Sequence, residues 1–188
     1  MIILSVPTCP GSGFWIYDFD SAIRNPQSEI PNEGALRRIR EKCVVLLATG
    51  GYVGYVPIAS GTFGTLVGIP LCYFLSMLGR LEGMLFIVVF AGSAVWISGE
   101  AERVFKKKDS GLIVIDEMAG FLVTLFLIPW SAKSVVAGFF LFRLFDIAKP
   151  FPIRRLEEKL PGGWGVVGDD ILAGIYANVV LRIVLRLF

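Results

Sequence analysis

Residues 112–130 read Leu112-Ile113-Val114-Ile115-Asp116-Glu117-Met118-Ala119-Gly120-Phe121-Leu122-Val123-Thr124-Leu125-Phe126-Leu127-Ile128-Pro129-Trp130. Two adjacent acids interrupt a run that is otherwise almost wholly apolar. Acids set against apolar stretches are costly unless they are paired or hold a cation. The run ends at a turn around Ser131 to Lys133, and a second apolar segment, Ser134–Phe145, returns. The pattern predicts a helical hairpin in a membrane, with its acids at one membrane face.

Working outward, the same pattern recurs. Leu66–Leu78 ends at the turn Gly79-Arg80-Leu81-Glu82-Gly83, Met84–Ser98 returns, and Ile171–Phe188 closes the chain. Several of these segments are shorter than the roughly 20 residues that span a bilayer. Taken one at a time, each could be the core helix of a soluble protein. Composition decides between the two. The chain is 55% hydrophobic and 18% charged, with a mean hydropathy of +0.70, more apolar than soluble domains generally are. The expected fold is an all-α integral membrane bundle with about five membrane-embedded helices. Cys43 to Val56, apolar but rich in glycine, is expected to pack inside the bundle or to enter without crossing. Residues 1–36, with Pro7, Pro10, Pro26 and Pro31, read as a poorly structured extension or a mis-assigned start, and residues 37–188 as the membrane domain.

Charge gives the orientation. Arg37, Arg38, Arg40 and Lys42 precede the apolar domain, Arg103, Lys106, Lys107 and Lys108 follow the second segment, and Arg154, Arg155 and Lys159 follow the fourth. The intervening turns hold only Arg80 and Lys133. Lys and Arg accumulate on the inner side, so the long loops are expected in the cytoplasm. The unusual polar residues all fall on that side.

Absent residues narrow the chemistry. The chain has no histidine, which excludes a Ser-His-Asp triad, histidine metal ligands and phosphohistidine chemistry. Cys9, Cys43 and Cys72 are too widely spaced for a zinc site or a disulfide framework. A net charge of +2, with no long basic stripe, gives no reason to expect nucleic acid.

Four clusters remain. Ser60-Gly61-Thr62-Phe63-Gly64-Thr65 precedes an apolar segment. Its glycines would let backbone N–H groups approach an anion, and it would equally serve as a helix cap. Asp116-Glu117 is the second cluster. Arg143, Asp146 and Lys149 form the third, at a spacing that predicts one helical stripe. An Arg143–Asp146 ion pair with no chemistry is the alternative reading, and Pro150 and Pro152 should stop the helix. Gly168-Asp169-Asp170 is the fourth. It reads as a helix start, followed by Ala173, Gly174 and Ala177, which permit close helix approach. Acids gathered on one face repel unless a divalent cation sits among them, and oxygen-only ligands suit magnesium or manganese. Arg143, Lys149 and Arg154 suit phosphate. Carboxylates, a hard metal and phosphate-binding cations together point to phosphoryl chemistry.

In this order the motifs Ser60-Gly61-Thr62-x-Gly64-Thr65, Asp116-Glu117-x-x-Gly120, Arg143-x-x-Asp146-x-x-Lys149-Pro150-x-Pro152-Ile153 and Asp169-Asp170-x-x-Ala173-Gly174 resemble the phosphatidylglycerophosphatase A family, from about Cys43 to the C-terminus. The chain departs from it at Ser60, where Pro is frequent, and in its longer N-terminal extension. The resemblance implies a magnesium-dependent enzyme of the bacterial inner membrane, facing the cytoplasm. It would hydrolyse phosphatidylglycerophosphate to phosphatidylglycerol and phosphate in glycerophospholipid biosynthesis. On that reading Asp116, Glu117, Asp146, Asp169 and Asp170 supply the metal ligands. Asp146, Lys149, Asp169 and Asp170 carry catalysis. Ser60, Gly61, Thr62, Gly64, Thr65, Arg143, Lys149 and Arg154 bind phosphate. Oligomeric state stays open, with a homodimer permitted by the small-residue faces.

Three other readings compete. A phosphatase acting on a different lipid phosphomonoester shares every motif. A small transporter would explain Arg143 and Asp146 as an intramembrane charge pair. A haloacid dehalogenase-type phosphatase would use Asp18-Phe19-Asp20-Ser21 after the apolar Phe14-Trp15-Ile16-Tyr17. Deleting residues 1–35 separates the last: phosphate release should largely survive, whereas the dehalogenase-type reading requires complete loss.

Overall fold

The computed structural model describes residues 31–108, 110–151, 153, 160 and 162–187. The extension up to residue 30, Arg154 and Arg155 lie outside them. The described residues form helices with no strand: α1 Pro31–Ala48, α2 Ser60–Val67, α3 Ile69–Ser76, α4 Arg80–Phe105, α5 Ile115–Leu125, α6 Ala132–Ala148 and α7 Gly163–Leu187. A 3-10 turn, Val53–Tyr55, lies between α1 and α2.

α5 is the centre. Asp116 and Met118 to Leu122 are among its buried residues, with Thr124 and Leu125, as expected of a helix that is apolar nearly all round. It meets α7 backbone to backbone. A Cβ on Gly174 would lie 2.3 Å from the Gly120 carbonyl oxygen, and one on Gly120 would lie 2.6 Å from that of Asp170. Only glycine allows this approach, and the flanking Ala173 and Ala177 are fully buried against it. Phe121, Leu122, Phe142 and Leu181 fill one core between α5, α6 and α7. Val44, Ala48, Ala94, Ile97, Ala119 and Val167 fill a second, between α1, α4, α5 and α7.

The expected segments are present with altered ends. Leu66–Leu78 is broken into α2 and α3 at Gly68, with Pro70 in the first turn of α3, a position that suits a residue without an N–H. Met84–Ser98 is extended at both ends into the 26 residues of α4. Glu100 anchors the added C-terminal turns by pairing with Arg103 at 2.6 Å and with Arg40 of α1 at 2.8 Å. Met118–Trp130 shrinks to a helix of 11 residues, about 17 Å long. Among the described residues α4 alone is long and apolar enough to cross a bilayer, and only 22% of its most apolar window is buried.

The early end of α5 exposes carbonyls that a helix normally satisfies internally. Asn178 of α7 answers them, its Nδ2 donating to the carbonyl oxygens of Thr124 at 2.8 Å and Phe126 at 2.9 Å. Arg182 adds a bond from Nη2 to Phe126 at 2.9 Å and one from Nε to the Asn178 side-chain oxygen at 2.8 Å. Arg182 thus caps a helix end where a cation is favoured. Arg182→Ala should therefore destabilise the protein by about 1.5–3 kcal/mol, read as a Tm lower by several degrees in detergent, with phosphatase turnover retained below the transition.

Candidate active site

Three helices deliver the acids to one place. Asp116 and Glu117 occupy the first turn of α5, Asp146 lies in the last turn of α6, and Asp169 and Asp170 lie on α7. One carboxylate oxygen from each of Asp116, Glu117 and Asp170 lies within 4.8 Å of the other two. Asp116, Asp169 and Asp170 are at most 7% exposed.

The two acidic pairs use one local device. The Glu117 amide donates to Asp116 Oδ1, and the Asp170 amide to Asp169 Oδ1, each at 3.1 Å. In each pair the first acid is braced by the amide of the second; Asp116, Glu117 and Asp170 all reach the cluster, and Asp169 turns to Lys149. Glu117 and Asp170 thus lie among like charges, with Asp116 in reach of both. Glu117 Oε2 is buried and has no hydrogen-bond partner. An orphaned acid oxygen beside two further acids is a donor set that a cation would satisfy. All the donors are oxygens, so the group fits a hard divalent ion such as magnesium better than a soft one.

Cations border the acids. Arg143 Nη1 bonds Asp146 at 2.5 Å, both side chains being about 15% exposed. This is the ion pair of the alternative reading, yet it stands against the cluster, since one point above Gly61 lies close to both Arg143 Nη1 and Glu117 Oε1. Lys149 is not on the helical stripe with them. Pro150 follows it, α6 ends at Ala148, and Lys149 takes a left-handed conformation with φ 40°. That turn directs its ammonium to Asp169, at 2.7 Å.

Asp169 and Asp170 are not at a helix start either. α7 begins at Gly163, nearly two turns earlier, because Gly163 packs so tightly on α4 that a Cβ there would lie 2.0 Å from the Val95 carbonyl oxygen. The dipole argument therefore belongs to Asp116 and Glu117. Within the glycine loop, Gly61 reaches the acids. A Cβ at Gly61 would lie 2.3 Å from Glu117 Oε1 and 2.9 Å from Arg143 Nη1. Gly64 packs on Val114, while Ser60 and Thr65 donate their hydroxyl protons to the carbonyls of Gly111 and Gly61. Those three residues hold the loop in place; Thr62, half-buried, sits beside Gly61. Arg154 lies outside the described residues.

Residues 46–185 match the family model for phosphatidylglycerophosphatase A. The chain belongs to the phosphatidylglycerophosphatase A family. It is accordingly a phosphoric monoester hydrolase. A phosphatidylglycerophosphatase A of Haemophilus influenzae is 40% identical over 138 residues, covering 72% of this chain and 85% of the relative. One of Escherichia coli is 35% identical over 137 residues, with 72% and 80% covered. A Bacteroides thetaiotaomicron protein named "Putative phosphatidylinositol-3-phosphatase" is 33% identical over 147 residues, with 74% and 91% covered. No solved structure matches the chain.

Gly61→Ala tests the contact between loop and acids. It should lower turnover about 100-fold by displacing Glu117 and Arg143, while Tm moves by no more than a few degrees. Full turnover in this variant would detach the loop from the site.

Proposed function

We propose that this member of the family hydrolyses phosphatidylglycerophosphate to phosphatidylglycerol and inorganic phosphate, with magnesium held by Asp116, Glu117 and Asp170. The convergence of acids from three helices beside Arg143 and Lys149 carries this reading. The substrate comes from the names of the Haemophilus and Escherichia relatives. When bound, the ion supplies Lewis-acid polarisation of the phosphoryl group. Arg143 and Lys149 then meet charge that develops on the phosphoryl oxygens, from positions fixed by Asp146 and Asp169. Gly61 keeps the floor beneath Arg143 open to the substrate. An acid of the cluster either takes a proton from the attacking water or itself attacks phosphorus. Trapping a phosphorylated carboxylate on the protein in a single turnover distinguishes the two.

We place the chain in the bacterial inner membrane with this site facing the cytoplasm. Large apolar side chains stay exposed in stripes along α4 (Met84, Leu85, Val88, Val89), α6 (Val136, Phe140, Leu144, Ile147) and α7 (Ile175, Val179, Ile183, Leu187). Soluble monomers rarely leave so much apolar surface uncovered. Tyr73 and Trp130 stack at 5.3 Å at the end remote from the acids, as aromatic side chains do at a bilayer interface. The five embedded segments are then α2–α3, α4, α5, α6 and α7, with α5 too short to cross by itself.

Purified protein with phosphatidylglycerophosphate in mixed micelles should release phosphate, lose this activity in chelator and regain it with magnesium. Phosphatidylinositol 3-phosphate should be turned over at least about 10-fold less efficiently; equal or better turnover would reassign the substrate. Asp170→Asn should reduce turnover at least about 100-fold. Because it removes a buried negative charge, it should also raise Tm in chelator by a few degrees.

A further inference from the structure

A second feature lies at the same end of the bundle and plays no part in the reaction described above. A cavity of about 660 Å³ opens between the C-terminal half of α4 and the start of α7. Its lining changes character along its length. At one end are Gly92, Val95 and Trp96, on the exposed apolar face of α4; at the other are Arg103, Lys106, Lys107 and Lys108. From Gly92 to Phe105 is 13 helical residues, about 20 Å, comparable to a phospholipid from its phosphate well into its chains. The floor is bare backbone where Gly99 and Gly163 meet, and a side chain at Gly92 would meet nothing within 4 Å. Trp96 and Trp164 stand on the walls, 56% and 63% exposed.

Glu100 and Glu102 also line the polar end, but its four cations outnumber them. Glu100 is engaged by Arg40 and Arg103. Among the described residues no ion pair engages Lys106, Lys107 or Lys108, which follow directly from α4. Lys106 turns the chain there through a left-handed conformation, φ 52°. Tryptophans beside lysines at the end of an apolar helix are what an anionic headgroup meets at a membrane interface.

We propose that this cleft binds an intact anionic phospholipid, its phosphate at Lys106–Lys108 and an acyl chain along Gly92 and Trp96, as a site separate from the acid cluster. The lipid is held and not turned over: none of the clustered acids lines the cleft. The binding raises the local concentration of anionic lipid beside the enzyme and orients α4 at the bilayer surface.

The test uses the full chain with Trp15→Phe and Trp130→Phe, so that fluorescence reports Trp96 and Trp164 alone. It is placed in phosphatidylcholine nanodiscs holding a minor fraction of brominated phosphatidylglycerol, or the same fraction of brominated phosphatidylcholine. The anionic lipid should quench more strongly, and added salt should reduce the excess. Combined Lys106→Gln, Lys107→Gln and Lys108→Gln should weaken the anionic preference about tenfold or more, with phosphate release from a detergent-dispersed substrate unchanged. Equal quenching by both lipids, or an excess that survives in the triple variant, would overturn the proposal. So would an excess abolished by millimolar inorganic phosphate, which would make the cleft a site for the free anion. If the triple variant does not fold, the lipid comparison and salt response in the parent still decide.

Discussion

The contact between Gly120 and Gly174 is the constraint on which the site rests. Asp116 and Glu117 sit one turn before this crossing on α5, and Asp170 one turn before it on α7. The close crossing holds carboxylates of the two helices within 4.8 Å of one another, as small residues at a helix contact allow. Any Cβ at the crossing would wedge them apart. The same closeness buries the acids and creates the repulsion that a cation relieves. Packing and electrostatics thus act in opposition at this point, a common arrangement where a protein gives up stability for chemistry.

Around that crossing, each remaining part has a local cause. Arg143 and Asp146 share the last turns of α6 by helical spacing. Lys149 leaves that helix because proline follows it, and the release lets it meet Asp169 on α7. Gly61 brings the first turn of α2 against Glu117 and Arg143. The family match runs from residue 46, near the end of α1, to residue 185 in α7, and so spans this whole assembly.

Much of this was legible from residue types and spacing. Helical hairpins follow from apolar runs divided by short polar turns, and the clustering of acids follows from counting which side each motif falls on. The small residues after Asp170 announced a close approach, although nothing in the linear pattern named Gly120 as the partner. The errors share a cause in tertiary contact. Hydropathy carried the third segment on to Trp130, but α5 stops at Leu125 because Asn178 and Arg182, more than 50 positions away, receive its carbonyls. Gly168-Asp169-Asp170 read as a helix start, yet the helix already runs from Gly163, where α4 offers a surface that only glycine fits. The break between α2 and α3 was written in Gly68 and Pro70 but outweighed by the apolar residues on either side.

The capping of α5 has a consequence for traffic of ions. One end of this short helix carries acids, and the other meets a guanidinium fixed to the Phe126 carbonyl oxygen. A dication travelling along the buried axis would be welcomed at the first and turned back at the second. Charge alone therefore makes the acidic end of α5 the end at which a cation would stay.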